Sequence, residues 1–280
     1  MNCLNCERYL HEAIDSVYSQ SYENWEIIFW DNGSCDNSQR IAKSYDSKLK
    51  YYKSEETTNL GKARVLAVEK ANAEYLAFLD CDDIWHKDKL SKQMNIFIED
   101  RANVGLVYGK CDVLYDGKSD KVINHNVLPE GYVFSKLVRE NFITFVSAII
   151  TKKVYDASGG FPKDIRHSTD YWLFLNISKN YRVRAVQDIC CTYRFHSENM
   201  TNNNRVLAAE EAIKIVSMFL PDKYAKEALK YHYDNLSIAY LKGFLIMNFL
   251  KNIIRYGGFI RLLLKGFNKF FRFLLARKKK

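Results

Sequence analysis

Proline is nearly absent, with three residues in 280, and no Pro-rich stretch divides the chain. Any domain boundary therefore has to be read from periodicity rather than from linker composition. Acidic residues are missing altogether after Asp234, whereas Lys242 to Lys280 carries eleven Lys or Arg residues. The formal charge of +9 is thus a property of the tail, and the chain before it is slightly acidic. Basicity confined to the tail says nothing about the ligand of the body. Long apolar runs are missing as well. The longest uncharged run near the C-terminus, Gly243 to Leu250, falls far short of the ~20 residues of a spanning helix. The N-terminus shows no apolar signal-peptide core, so a soluble-side, cytoplasmic protein is expected. A closed cysteine set is missing too. Cys3 and Cys6 form a CxxC, no second CxxC follows, and Cys190 and Cys191 are adjacent. Seven cysteines spaced in this way read as free thiols in a reducing compartment rather than as a zinc framework.

What is present is globular. Hydrophobic residues make up 48% and charged residues 27%, which excludes general disorder. Tyr9, Leu10, Ala13, Ile14 and Val17 recur at helical intervals within 8–20, and "WEIIFW" (Trp25 to Trp30) is a short β-rich run. Helical spacing returns at Ser38 to Tyr45 and Leu60 to Ala71, separated by the strand candidate "LKYYKS" and followed by Tyr75 to Leu79. Short apolar strands alternating with helices predict an α/β sheet with parallel members. Further strands are expected at Val104 to Gly109 and Thr144 to Thr151, and helices at Lys87 to Glu99 and Asp170 to Ser178. From Val206 the pattern is helical, which predicts a domain over 1–204 and a helical region over 205–280.

Two of the apolar strands end in acid. "EIIFWD" stops at Asp31, and "EYLAFLDCDDIW" crowds Asp80, Asp82 and Asp83 into four positions. Two carboxylates about 6 Å apart repel by about 3 kcal/mol at an effective dielectric near 20. Ligands of open α/β sheets bind beyond the C-terminal strand ends. In extended backbone, Asp80 and Asp82 face one way and Cys81 turns away into packing. All-oxygen ligands suit Mg²⁺ or Mn²⁺ carrying a diphosphate. A solvated acidic loop, with Asp83 capping the next helix, is the alternative that these residues alone leave open.

Four blocks narrow the choice: "NCERYLHEAIDSVYSQSYENWEIIFWDNGSCDNS", "NLGKARVLAVEKANAEYLAFLDCDDIWHKDKL", "GGFPKDIRHSTDYWLFLNIS" and "CTYRFHSENMT". In this order and spacing, from Asn5 to Thr201, the chain resembles the family-2 glycosyltransferases of GT-A fold. The resemblance implies a Rossmann-related, mixed and mostly parallel sheet flanked by helices, with a helical C-terminal extension. It implies an inverting transferase, dependent on Mg²⁺ or Mn²⁺, that uses a nucleotide-diphosphate sugar, a UDP-sugar foremost. The acceptor would be a glycan or lipid-linked hydroxyl in cell-surface polysaccharide or glycolipid synthesis. By the same resemblance Asp31 would accept hydrogen bonds from the base, and Arg64 would lie near the base or diphosphate. Asp80 would sit near the ribose and metal as the first acid of the DxD motif, with Asp82 the direct metal ligand. Asp170 would be the general base, and His196 would approach the metal or diphosphate. Ser168 and Thr169 are candidate caps, so Asp170 is expected to stay ionised at a helix start.

The chain also departs from the family pattern. A strand reading like "VSVIIPTYN" usually precedes the motif at Asn5, and its absence before Met1 predicts exposed neighbouring strand edges. Asn32 replaces a commoner Asp, and Val65 stands where Asn is usual. Two explanations compete: a misassigned or truncated start, or a catalytically impaired, nucleotide-sugar-binding relic. A nucleotidyltransferase should carry a glycine-rich basic loop after its first strand, and Met1 to Asp36 has none.

On a helical wheel of Lys251 to Arg277, Lys251, Arg255, Arg261, Lys265, Lys269 and Arg272 share one side. Phe259, Leu263, Phe267, Phe270 and Leu274 lie opposite. A cationic helix of this kind is expected to lie on the cytoplasmic face of a membrane. Its aromatics are segregated from its charges, unlike a nucleic-acid stacking groove.

Overall fold

The computed structural model describes residues 1–100, 103–115, 118–123, 126–197, 199, 204–242 and 246–256. They form two compact units, Met1–Asn199 and Met200–Lys280. The first unit holds two sheets. In one, strand β1 (Asn2–Cys3) pairs in parallel with β2 (Ile27–Asp31), which pairs in parallel with β3 (Leu49–Lys53). In the other the order is β4 (Tyr75–Ala77), β8 (Ile149–Thr151), β6 (Val104–Tyr115), β9 (Arg182–Phe195) and β5 (Ile84–Trp85), with β7 (Lys118–Ile123) on β6.

The fold is the expected mixed α/β one, with parallel pairing concentrated at the N-terminal end. In the second sheet β6 and β9 run parallel, and the other neighbours are antiparallel. A single parallel bridge, Asn2 to Asp80, links the two sheets and brings β1 beside the acidic loop. Beyond that bridge, β2 and β4 wall a cavity of about 630 Å³ lined by Met1, Ile28, Leu76 and Phe78 and reaching Arg64. The terminal ammonium of Met1 donates to the Ile28 carbonyl at 2.8 Å, and burial lowers its pKa.

Helices cover the sheets with the faces that periodicity predicts. Leu10, Ala13, Ile14 and Val17 of α1 (Glu7–Tyr18) are buried against the first sheet. Helices α2 (Ser38–Ala42) and α3 (Leu60–Glu69) follow β2 and β3, and α4 (Lys89–Glu99) buries Leu90, Met94 and Phe97. Short helices α5 (Phe134–Leu137) and α6 (Lys152–Ala157) precede α7 (Thr169–Asn180), whose Leu173, Phe174 and Ile177 are fully buried.

The start of α3 decides where the site forms. Asn59 accepts from the Lys62 amide at 2.9 Å and donates to the Lys163 carbonyl at 3.0 Å. Gly61 then packs so closely that a Cβ would sit 2.2 Å from the Pro162 carbonyl oxygen and 2.9 Å from that of Ile165. Both contacts are to backbone, so a methyl there displaces the whole segment leading into α7. Gly61→Ala should destabilise the protein by about 1–3 kcal/mol despite its better helix propensity. Thermal denaturation checks this, and an unchanged Tm would mean the 162–169 segment yields freely.

The second unit contains α8 (Arg205–Ser217), α9 (Lys223–Lys242) and α10 (Ile246–Tyr256). Tyr240 on α9 donates to Glu210 on α8 at 2.9 Å, and Asn252 on α10 donates to Ser237 on α9 at 2.8 Å. The expected basic membrane helix falls almost wholly outside the described residues, which stop at Tyr256. Among them, no helix is long and apolar enough to cross a membrane.

Candidate active site

The acidic loop after β4 is held from the far end of β9. Its turn closes through the Asp83 amide on the Asp80 carbonyl at 3.2 Å. Asp83 is 2% exposed and accepts from the Arg194 amide at 2.8 Å. The Arg194 Nε donates to the Asp82 carbonyl, also at 2.8 Å. Asp83 is therefore an anchor of the loop rather than a helix cap, since α4 starts only after Asp88. With its backbone fixed, Asp82 directs its carboxylate at His196, whose Nε2 lies 2.9 Å from Oδ2, and at Asn199 Nδ2, 3.4 Å away. Asn199 closes this cradle, its side-chain oxygen accepting from the His196 amide and its Nδ2 donating to the Arg194 carbonyl.

Asp80, the other acid of the pair, faces a different cation. Its Oδ1 lies 3.3 Å from an Arg64 guanidinium nitrogen. Arg64 is buried, stacks 3.7 Å from the centroid of Phe145 and donates to Thr169 Oγ1 at 2.6 Å. Its Nε is buried with no partner among the described residues. Thr169 and Asp170 open α7, so the Gly61 contact that seats this segment also sets Thr169 on the guanidinium, one residue before Asp170. Asn141 donates to Asp170 at 3.2 Å from the other side.

Charge crowding follows from this geometry. Burial, then the charge of Asp80, raises the pKa of Asp82, and the His196 hydrogen bond opposes the rise. Burial pushes Asp83 well above the usual carboxylate range, helped by Asp82 and Asp80. Asp170 also moves up: burial raises it and Arg64 pulls back, so the helix N-terminus does not dominate as the sequence implied. Ser168 makes no capping hydrogen bond there.

Asp31 is placed differently from the rest. It is 0% exposed, with one oxygen accepting from the Ser34 amide at 2.7 Å and the Gly33 amide at 3.2 Å. The other accepts from the Tyr51 hydroxyl at 2.6 Å. Burial alone would raise its pKa, but these hydrogen bonds outweigh it and hold the carboxyl low. One oxygen thus serves its own turn, where Gly33 adopts φ +95°, and the other is tied to β3.

The structure thus gathers Asp80, Asp82, Arg64, Asp170 and His196, and ties Asp31 to its own turn and to β3. Arg194, Asn199, Asn141 and Thr169 complete the constellation; Thr169 was expected only as a cap, and the other three were not singled out from sequence. Arg194 and Asn199 lie inside the "CTYRFHSENMT" block, so that block was the available signal. Asp80, Asp82 and His196 do not converge within 4.8 Å as a closed ligand trio. Mg²⁺ and Mn²⁺ do not need one, because they keep one or two protein carboxylates and take other ligands from phosphate and water. Asp82, a half-buried carboxylate whose pKa is raised, together with Asp80 two residues before it, is a donor set such an ion fits.

A hollow of about 400 Å³ adjoins His196, lined by Arg8, Tyr9, Tyr115, Arg194 and Phe195. Arg8 and Arg194 both pack on Tyr9, 4.8 Å and 4.5 Å from its ring centroid.

Comparison with known proteins speaks to the family and the fold. A UDP-Glc:alpha-D-GlcNAc-diphosphoundecaprenol beta-1,3-glucosyltransferase, WfgD of Escherichia coli, is 27% identical over 206 residues, covering 72% of this chain and 78% of that protein. The crystal structure of Staphylococcus aureus TarS 1-349 superposes with a TM-score of 0.67 at 18% identity, over 87% of this chain and 72% of that one. The mannosyltransferase PcManGT from Pyrobaculum calidifontis, solved with GDP-Man and Mn²⁺, gives 0.62 at 17% identity over 93% and 81%. At those identities the two structures speak for the fold alone. The model of "Glycosyl transferase family 2" matches residues 1–159, more than half of the chain, which therefore belongs to that family.

Proposed function

We propose that the protein transfers a sugar from a nucleotide-diphosphate sugar to an acceptor hydroxyl with inversion, Asp170 acting as general base. The observation that carries this is one buried guanidinium, Arg64, bound both to Asp80 and to Thr169, the residue before Asp170, with the His196-bound Asp82 on the same loop as Asp80. Asp170 takes the acceptor proton as the oxygen attacks the anomeric carbon, while the bond to the nucleoside diphosphate breaks on the opposite face. One displacement with one base inverts that carbon. Asp82 and Asp80, with His196 beside them, would hold Mg²⁺ or Mn²⁺. Such an ion, when bound, offsets the charge that gathers on the leaving diphosphate. Arg64 adds fixed positive charge next to Asp80, and Asp31 positions the turn on the nucleotide side.

A UDP-sugar is the proposed donor and a lipid-linked glycan the proposed acceptor, in cell-surface polysaccharide or glycolipid synthesis at the cytoplasmic membrane face. The name of the E. coli relative and the basic tail support this. The hollow by His196 suits such an acceptor, because Arg8 lines it beside Tyr9 and Arg194, held on the Asp82 carbonyl and Glu12, adds fixed positive charge there for a diphosphate. A second reading, a binding relic, has one observation in its favour: the unfilled cavity between β2 and β4 reaches Arg64.

The test is release of nucleoside diphosphate from UDP-sugars by the full chain with Mn²⁺ or Mg²⁺. Turnover is expected. Nucleotide binding without turnover favours the relic, and neither binding nor turnover sinks both readings. Metal binding should also depend on pH. Protons compete for Asp82, whose pKa is raised, so Mn²⁺ affinity should climb as pH rises from the usual carboxylate range toward neutrality. A calorimetric affinity that is flat over that range would remove Asp82 from the ligand set.

A further inference from the structure

On the side of the acidic loop away from Asp80 and Asp82, three thiols meet. Cys3 ends β1, Cys6 immediately precedes α1, and Cys81 sits between the two acids. Their sulfur atoms all lie within 4.8 Å of one another. Cys3 and Cys81 are buried, Cys6 is partly exposed, and all seven cysteines are free. The cluster joins positions 78 residues apart through the Asn2 to Asp80 bridge, which is why the CxxC spacing did not reveal it.

Each sulfur has only a weak local contact. Cys81 lies 3.2 Å from the Asn2 carbonyl, Cys6 3.6 Å from that of Leu4, and Cys3 3.7 Å from Ser34 Oγ. Packing of apolar thiols would account for the two buried ones. It does not account for the third, which closes the triangle from the solvent side.

We propose that Cys3, Cys6 and Cys81 form a trithiolate site for a thiophilic d¹⁰ cation, Zn²⁺ being the physiological choice. Tetrahedral Zn–S bonds of about 2.3 Å set sulfur atoms about 3.8 Å apart, so the observed triangle needs at most a contraction of about 1 Å. Binding forms three metal–sulfur bonds, releases the thiol protons to solvent and leaves the fourth position to water on the open side of Cys6. The site is chemically distinct from the carboxylate side of the loop, which favours hard cations. An ion there ties β1, the start of α1 and the acidic loop together. The proposal stands on the thiol geometry and does not require transferase activity.

The experiment titrates reduced, metal-free full-length protein with Cd²⁺ and follows the ultraviolet thiolate-to-cadmium charge-transfer band. Zn²⁺ competition against a chromogenic chelator and thermal melting run in parallel. A band saturating at one equivalent is expected, together with a rise in Tm on adding Zn²⁺. Cys6→Ser, chosen because the residue is only partly buried and its loss spares the fold, should abolish both responses. Cys35→Ser, at an exposed thiol outside the cluster, should retain them. No band at one equivalent, or a band that survives in Cys6→Ser, overturns the proposal.

Discussion

Asp170→Asn should lower the transfer rate by about 10²- to 10⁴-fold while donor binding stays close to that of the parent. The two side chains have the same shape, so the contact to Asn141 and the start of α7 can persist. What disappears is the basicity of the carboxylate, which an amide oxygen lacks, so the acceptor proton has no base to take it. Burial raises the pKa of Asp170 and Arg64 pulls it back, giving a stronger base that is still ionised on the alkaline side of that raised value. The parent rate should therefore fall as pH drops through that pKa, and the Asn variant should lack that limb. The sign for stability is the reverse. A carboxyl whose folded pKa is raised stabilises the fold when protonated, and that contribution is lost as pH rises. At neutral pH the uncharged Asn should leave Tm unchanged or higher. Pre-steady-state turnover with a labelled donor measures the rate, and an Asn variant as fast as the parent removes Asp170 from the chemistry.

Asp82→Ala should reduce kcat/KM by about 100-fold, equivalent to about 3 kcal/mol of transition-state stabilisation. Two causes have to be separated, because Asp82 also receives His196 at 2.9 Å and Asn199 at 3.4 Å. Alanine deletes the charge and both hydrogen bonds, whereas Asp82→Asn keeps an acceptor for the cradle and deletes only the charge. Equal losses in the two variants, with Mn²⁺ stimulation gone from both, assign the effect to cation binding. A loss confined to Ala would make Asp82 a support for the 194–199 turn. His196→Ala, acting beside the ligand, should cost about tenfold.

Much of this molecule is visible in its local patterns. The apolar faces of α1 and α4 and the strands β2, β3 and β4 follow from spacing, because burial selects one side of each element. The longest strand, β9, escaped that reading. Arg182, Arg184, Gln187 and Asp188 interrupt its apolar residues, and its ladder with β6 contains register shifts that break strict alternation. Short α5 and α6 carry too few residues to show a period.

The site divides in the same way. Acid at the ends of β2 and β4 is legible, since crowded carboxylates stand out against an apolar run whatever the fold. Which partner each acid meets is not. Asp82 finds His196 across 114 residues, Arg64 finds Thr169 across 105, and Cys81 finds Asn2 across 79. Asp31, which from sequence looked like Asp80 and Asp82, turned one oxygen onto its own loop and the other onto Tyr51 of β3.

The order of side chains alone determined the elements, their buried faces and where negative charge would accumulate, because backbone geometry and hydrophobic burial act over a few neighbours. Strand pairing decided the rest: which cation answers which carboxylate, and that three scattered thiols share a corner. Those encounters depend on chain closure over about a hundred residues, for which no short stretch carries a signal.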